Sequence, residues 1–175
     1  MITILFDGSF TNLIAATEKA NALLRDDKFY QLIGAKEKFD FSNATPDQIA
    51  ASIKKCVLTS KVVTYKKLFP LKTLGFETPE DPLHIHINML GWRGKRSVAS
   101  YTGTIIHEAV HCADSDSSEF SFGHDGNSAS GNENTAPYWI GNLAINMVVN
   151  PLLSTNDLPN LFAEAHALES DESLA

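Results

Sequence analysis

The sequence predicts an α+β fold: several helices around a small, mostly antiparallel sheet, built as a single domain over all 175 residues. Segments such as 12–25 and 137–149 carry apolar residues at helical spacing, while 1–6, 57–68 and 83–88 are short runs of strand character. The length is enough for one domain with a real core, and the proportions of hydrophobic and charged residues are ordinary for a soluble globular protein. Within that domain, residues 1–114 supply the sheet and the most informative helix, and 115–175 a polar loop and C-terminal helices.

Residues 1–6 read as a short strand and Asp7-Gly8-Ser9 as a turn. Leu13, Ile14, Ala16, Ala20, Leu23 and Leu24 mark an amphipathic helix over 12–25, with Thr11 or Asn12 as its cap. Residues 26–44 are ambiguous: Phe29, Leu32 and Ile33 suggest a short helix, Phe39 and Phe41 a short extended piece. Thr45-Pro46 starts a helix that runs to about Lys55, a capping residue followed by proline at the first helical position. Residues 57–68, rich in β-branched side chains, form a strand that Phe69-Pro70 ends, and 70–82 is a loop. Leu83–Asn88 alternates as a half-buried strand, with His84 and His86 on one face and Leu83, Ile85 and Ile87 on the other. Gly91–Arg96 is a turn-rich link to a helix ending near Ala113-Asp114. Residues 115–136 are dominated by Ser, Asp, Gly and Asn, and would ordinarily be flexible. Pro137 opens a helix to Val149 that Pro151 stops; a last helix spans about 159–168, before an acidic tail.

A net charge of −7 argues against binding nucleic acid, and Lys54, Lys55, Lys61, Lys66 and Lys67 are too dispersed to form more than a solvated face. No segment is long and apolar enough for a membrane partner, and Asp7 cuts short an N-terminus with no basic start, so no signal peptide is read. Cytoplasmic localisation is the default, with export by another route left open. Cys56 and Cys112 are too few for a disulfide scaffold, and Cys112 points about 100° around the helix from His111, as a packing residue would.

The chemistry concentrates in Thr104–Asp114, which holds His107-Glu108-x-x-His111. Residues four apart on a helix share one face, so two imidazoles can grip one metal ion and Glu108 can reach a water beside it. Ile105, Ile106, Ala109, Val110 and Ala113 supply an apolar back, which turns the histidines toward a cleft. A catalytic zinc takes three protein ligands and keeps one position open, so a third ligand is required. His124 is the leading candidate: imidazole suits zinc, and flanking glycines let the backbone turn it inward. Asp114, Asp125 and Glu133 are the alternatives, with His84 or His86 behind them; Asp114 also has the option of orienting a ligand without binding metal. Glu108 is then the general base, taking a proton from a water acidified by the single Zn2+ of the chain and passing it to the leaving amine. Tyr138 offers a hydroxyl to the oxyanion, with core packing as its competing role; His166 reads as surface or core.

Over residues 83–150 the chain resembles the zincin group of metallopeptidases. His107, Glu108 and His111 match its signature, and Leu83–Asn88 resembles the edge strand that precedes the zincin helix. The resemblance implies zinc-dependent peptide hydrolysis, a third ligand from the C-terminal part, and a peptide or protein substrate aligned by strand addition. Metzincins have glycine and histidine where this chain has Asp114 and Ser117. Thermolysin-like zincins take a glutamate from the following helix, and 137–149 contains no acid. The G-T-x-D of the aspartate-liganded group is also missing, which leaves the subfamily unassigned. The competing function is a non-catalytic zinc-binding structural or regulatory protein, against which the presence of Glu108 argues. A secreted effector or toxin protease would share the chemistry and differ in target.

Overall fold

The computed structural model describes residues 1–66, 75–76, 83–90, 96–124 and 130–161. Asp125, His166, the 159–168 helix beyond residue 161, and most of the 70–82 and 91–96 connections lie outside these described residues.

The architecture is α+β. In chain order the elements are β1 (Thr3–Leu5), α1 (Thr11–Leu23), α2 (Asp27–Gly34), α3 (Pro46–Lys55), β2 (Thr59–Tyr65), β3 (Gly75–Phe76), β4 (His84–Asn88), α4 (Val98–Asp116) and α5 (Ala136–Val149). A 3-10 turn, Thr155–Asn160, follows.

The expectation of a mostly antiparallel sheet is corrected. The strand order is β1-β2-β4-β3, and β1, β2 and β4 run parallel, with Thr3 opposite Thr59 and Val62 opposite Ile85. Among the described strands, only the two-residue β3 runs antiparallel, with Phe76 opposite His86. Three helices separate β1 from β2, the long crossover that parallel pairing requires. Leu83–Asn88 is also not an edge strand. The strand begins at His84 and is paired on both sides, so strand addition there has no open edge. On β1, which is an edge, Asn21 of α1 occupies the free backbone groups: the Ile4 N–H donates to its Oδ1 at 3.0 Å and its Nδ2 donates to the Ile4 carbonyl at 2.8 Å.

The ambiguous 26–44 stretch resolves into α2, whose start is capped by Asp26 accepting from the Lys28 N–H, followed by a loop rather than an extended piece. In α3 the cap is reciprocal. Thr45 accepts from the Gln48 N–H, and the Gln48 side chain accepts from the Thr45 N–H at 2.8 Å. Ile4, Val62, Ile85 and Ile87 of the sheet, with Ile2 just before β1, join α4 and α5 in one hydrophobic cluster.

Helix α4 is the spine of the molecule, packing on α1, α3, α5 and the sheet. It begins earlier than the motif suggests, at Val98, because Ser97 caps it by accepting from the Ser100 N–H at 3.1 Å. Its crossing with α5 is set by glycine. A Cβ on Gly103 would lie 2.9 Å from the Gly141 carbonyl oxygen, and one on Gly141 would lie 3.0 Å from that of Gly103. Two helix backbones approach this closely only where side chains are missing. None of the described helices is long and apolar enough to cross a membrane.

Candidate metal centre

The i and i+4 spacing on α4 does what it should: the His107 and His111 rings share one face, with centroids 5.0 Å apart and their Nε2 atoms 3.3 Å apart. The polar loop after α4 returns His124 to the same point. Its Nε2 lies 3.0 Å from that of His111 and 3.4 Å from that of His107. The three ligand atoms form the single metal-competent group of His, Cys, Asp and Glu among the described residues.

A tetrahedral zinc with nitrogens at about 2.0–2.1 Å requires ligand–ligand separations of about 3.3–3.4 Å. Two sides of the observed triangle, 3.3 and 3.4 Å, match that requirement, and the third, 3.0 Å between His111 and His124, has to open by only about 0.3 Å. The chemistry of the donors agrees. Burial, then the proximity of His111 and His124, holds His107 well below the usual histidine range. Burial and His124 push His111 down to about 4. Both rings are therefore neutral at pH 7, the form that ligates metal. Pro137, which offers only a carbonyl, accepts a hydrogen bond from the His107 ring. Because the His107 Nε2 faces the other two rings, that donor is Nδ1, and the tautomer with a free lone pair at the centre is fixed.

Glu108 is buried on α4 beside His107. Tyr138, in the first turn of α5, packs its ring edge-on against His107, with centroids 4.5 Å apart, and tilted against His124 at 4.8 Å. Burial chiefly, and the Glu108 charge second, raise the Tyr138 hydroxyl above its ordinary pKa. The same two causes raise Tyr65, at the end of β2, so the Glu108 charge is felt by both tyrosines. The Gly103–Gly141 crossing makes this possible, since Gly141 lies one turn beyond Tyr138 and its missing Cβ would stand 3.3 Å from the Cβ of His107.

The other ligand candidates are placed differently. Asp114 is turned to the loop backbone, its Oδ1 accepting from the Phe122 N–H at 2.7 Å. Glu133 is engaged with the Gly131 N–H at 2.9 Å. His84 and His86 lie on β4 with ring centroids 6.3 Å apart and belong to no metal-competent group among the described residues. Cys112 is buried with its Sγ 3.9 Å from Ser60 Oγ, facing the sheet as a packing residue.

Sequence pattern does not single out Tyr65, Asn43 or the glycine pair. The glycines carried a readable signal, because a glycine inside a helix costs about 1 kcal/mol and so marks a packing requirement. Tyr65 carried none; it is an aromatic at a strand end until the sheet brings it toward Glu108. No protein-family model matches the chain, and no curated protein or solved structure matches it either.

Proposed function

We propose that the chain is a zinc-dependent hydrolase of peptide bonds, of zincin type, with a protein or peptide substrate. The observation that carries this reading is the convergence of three imidazoles, at close to tetrahedral spacing, beside a buried glutamate on the helix that carries two of them. His107, His111 and His124 would hold one zinc ion. When bound, the ion supplies Lewis acidity, acidifying a water and polarising a carbonyl.

The chain's own residues do the rest. Glu108 accepts the proton of the attacking water and delivers it to the departing amine, a role for a carboxylate kept close by the helix and shielded from bulk solvent. Tyr138, ring-packed on two of the three histidines, holds a hydroxyl in the cleft as a neutral donor toward the developing oxyanion; burial and the Glu108 charge keep it protonated. A purely structural zinc site has no use for Glu108, which is why hydrolysis is preferred over a regulatory metal site.

The test is zinc content and cleavage of unstructured polypeptide by wild type and Glu108→Gln. Hydrolysis predicts about one zinc per chain in both and a loss of cleavage of about 100-fold or more in the variant. Equal zinc with no cleavage by either points to the structural site, and wild type without zinc ends the metal reading.

A further inference from the structure

The third ligand comes from a loop, not from a helix, and a loop ligand is only as well placed as the contacts that hold it. Between His111 and His124 the chain leaves α4 at Ser117 in an extended conformation and must return the imidazole to within 3.0 Å of its partner. We propose that Asp114 and Asn43 are positioning residues that clamp this loop from opposite sides, so that His124 is set over the histidine pair before any metal arrives. The inference rests on the metal-binding reading above.

Asp114 is three residues beyond His111, on the same face of α4. Its Oδ1 accepts from the Phe122 N–H at 2.7 Å, and the Gly123 N–H makes a second backbone bond to the same carboxylate. The two amides immediately before His124 are thus tied to the helix that carries the other ligands. Gly123 lets the strap close: an added Cβ would stand 3.0 Å from Asp114 Oδ2. The Phe122 side chain, fully buried, anchors the same point to the core.

Asn43 holds the other side. Its N–H donates to the Ser121 carbonyl at 3.1 Å and its Oδ1 accepts from the Ser121 N–H at 2.8 Å, a two-bond clip on the residue preceding Phe122. The loop that presents Asn43 is itself pinned, by the Asp40 N–H donating to Asn134 at 3.1 Å and by Ser42 bonding both backbone groups of Ala44. Between these pins Phe41 adopts φ 56°, a left-handed conformation that a bulky residue takes only when its surroundings impose it. Neither Asp114 nor Asn43 offers an atom to the metal; each acts through the backbone that carries His124.

The experiment compares wild type with Asp114→Ala, Asp114→Asn, Asn43→Ala and His124→Ala. Three quantities are read: Zn2+ affinity by chelator competition, the visible spectrum of the Co2+ form, and amide exchange at Ser121–Gly123 in metal-free protein. The clamp predicts that Asp114→Ala and Asn43→Ala each weaken Zn2+ by about 10–100-fold, the range for residues supporting a ligand. They also lower the intense four-coordinate Co2+ absorption and accelerate exchange at these amides at least tenfold. Asp114→Asn, which keeps one acceptor oxygen, recovers part of each effect. A merely structural role would lower stability and leave the Co2+ spectrum as in wild type. If His124→Ala loses Zn2+ while Asp114→Ala and Asn43→Ala bind as wild type does, the clamp is refuted and the metal site stands. If wild type binds no Zn2+, the metal reading fails, and the exchange data alone decide whether the clamp exists.

Discussion

Replacing Gly103 by alanine sets two effects of opposite sign against each other. Alanine is the better helix former by about 1 kcal/mol, so on propensity alone the variant is stabilised. The structure predicts the reverse. The new methyl would lie 2.5 and 2.8 Å from Cγ1 and Cδ1 of Ile145 and 2.9 Å from the Gly141 carbonyl oxygen, all inside ordinary contact. The Ile145 side chain is only partly buried and can rotate aside; the carbonyl belongs to the α5 backbone and cannot. Overpacking of this kind costs about 1–3 kcal/mol, and where a backbone contact controls it the upper part of that range applies. Net of the propensity gain, Gly103→Ala loses about 1–2 kcal/mol, or roughly 2–8 °C in Tm for a chain of this size.

Thermal unfolding of the metal-free protein, with Gly103→Ala/Ile145→Ala alongside, measures this directly. The double variant removes the side-chain clash and leaves the carbonyl contact, so most of the loss persists in it once the cost of the Ile145 truncation alone is subtracted. A stabilised Gly103→Ala would refute the reasoning, since it would mean that the helices part without cost. The same crossing places Tyr138 against His107 at 4.5 Å, so forcing α5 outward also moves the tyrosine from the site. Reduced cleavage at unchanged zinc content is the accompanying expectation.

Two further outcomes follow from the site. His111 has its folded pKa depressed to about 4 from 6.5, so the unfolded chain takes up its proton first. Its contribution to stability is complete above pH 6.5 and is lost as pH falls toward 4, amounting to about 2 kcal/mol between pH 7.5 and 4.5. In urea unfolding of metal-free protein this is a fall in midpoint of about 1 M that His111→Gln lacks; parallel pH profiles for the two proteins would contradict it. Tyr138→Phe keeps the ring packing on His107 and His124 and removes only the hydroxyl. Zinc content is expected to stay at the wild-type level while cleavage falls about 100-fold, the effect of one oxyanion donor; unchanged cleavage would leave Tyr138 a packing residue.

What could be read from the sequence divides by the range of the contact involved. The helices were legible because their signals are local: the Thr45–Gln48 cap, proline at the start of α5, and the apolar periodicity of α1. So was the approach of His107 to His111, which helical pitch dictates. Strand direction was not, because alternation reports that a segment is half-buried and nothing about which neighbour it pairs with. A clue was present in the 53 residues separating Leu5 from Thr59: a connection that holds three helices suits a parallel crossover far better than a hairpin. Reading Leu83–Asn88 as an edge failed for a related reason. Its covering partner, Gly75–Phe76, is two residues long and too short to show a pattern of its own.

His124 shows the same division within one residue. Its chemistry was legible, since imidazole between glycines in a polar loop is what a third ligand needs. Its position was not, because it depends on Asp114 reaching a backbone amide eight residues on and on Asn43 reaching one 78 residues away. On sequence alone Asp114 reads as a ligand or as a group orienting a histidine ring. The structure gives its carboxylate to the loop backbone, where it aligns the ligand through the chain and not through the ring. That distinction has a physical consequence. A carboxylate bonded to an imidazole mainly alters the basicity of the ligand, whereas one bonded to the backbone alters how often the ligand is present. The metal affinity of the Asp114 and Asn43 variants should therefore track loop exchange, and the two quantities should fall together.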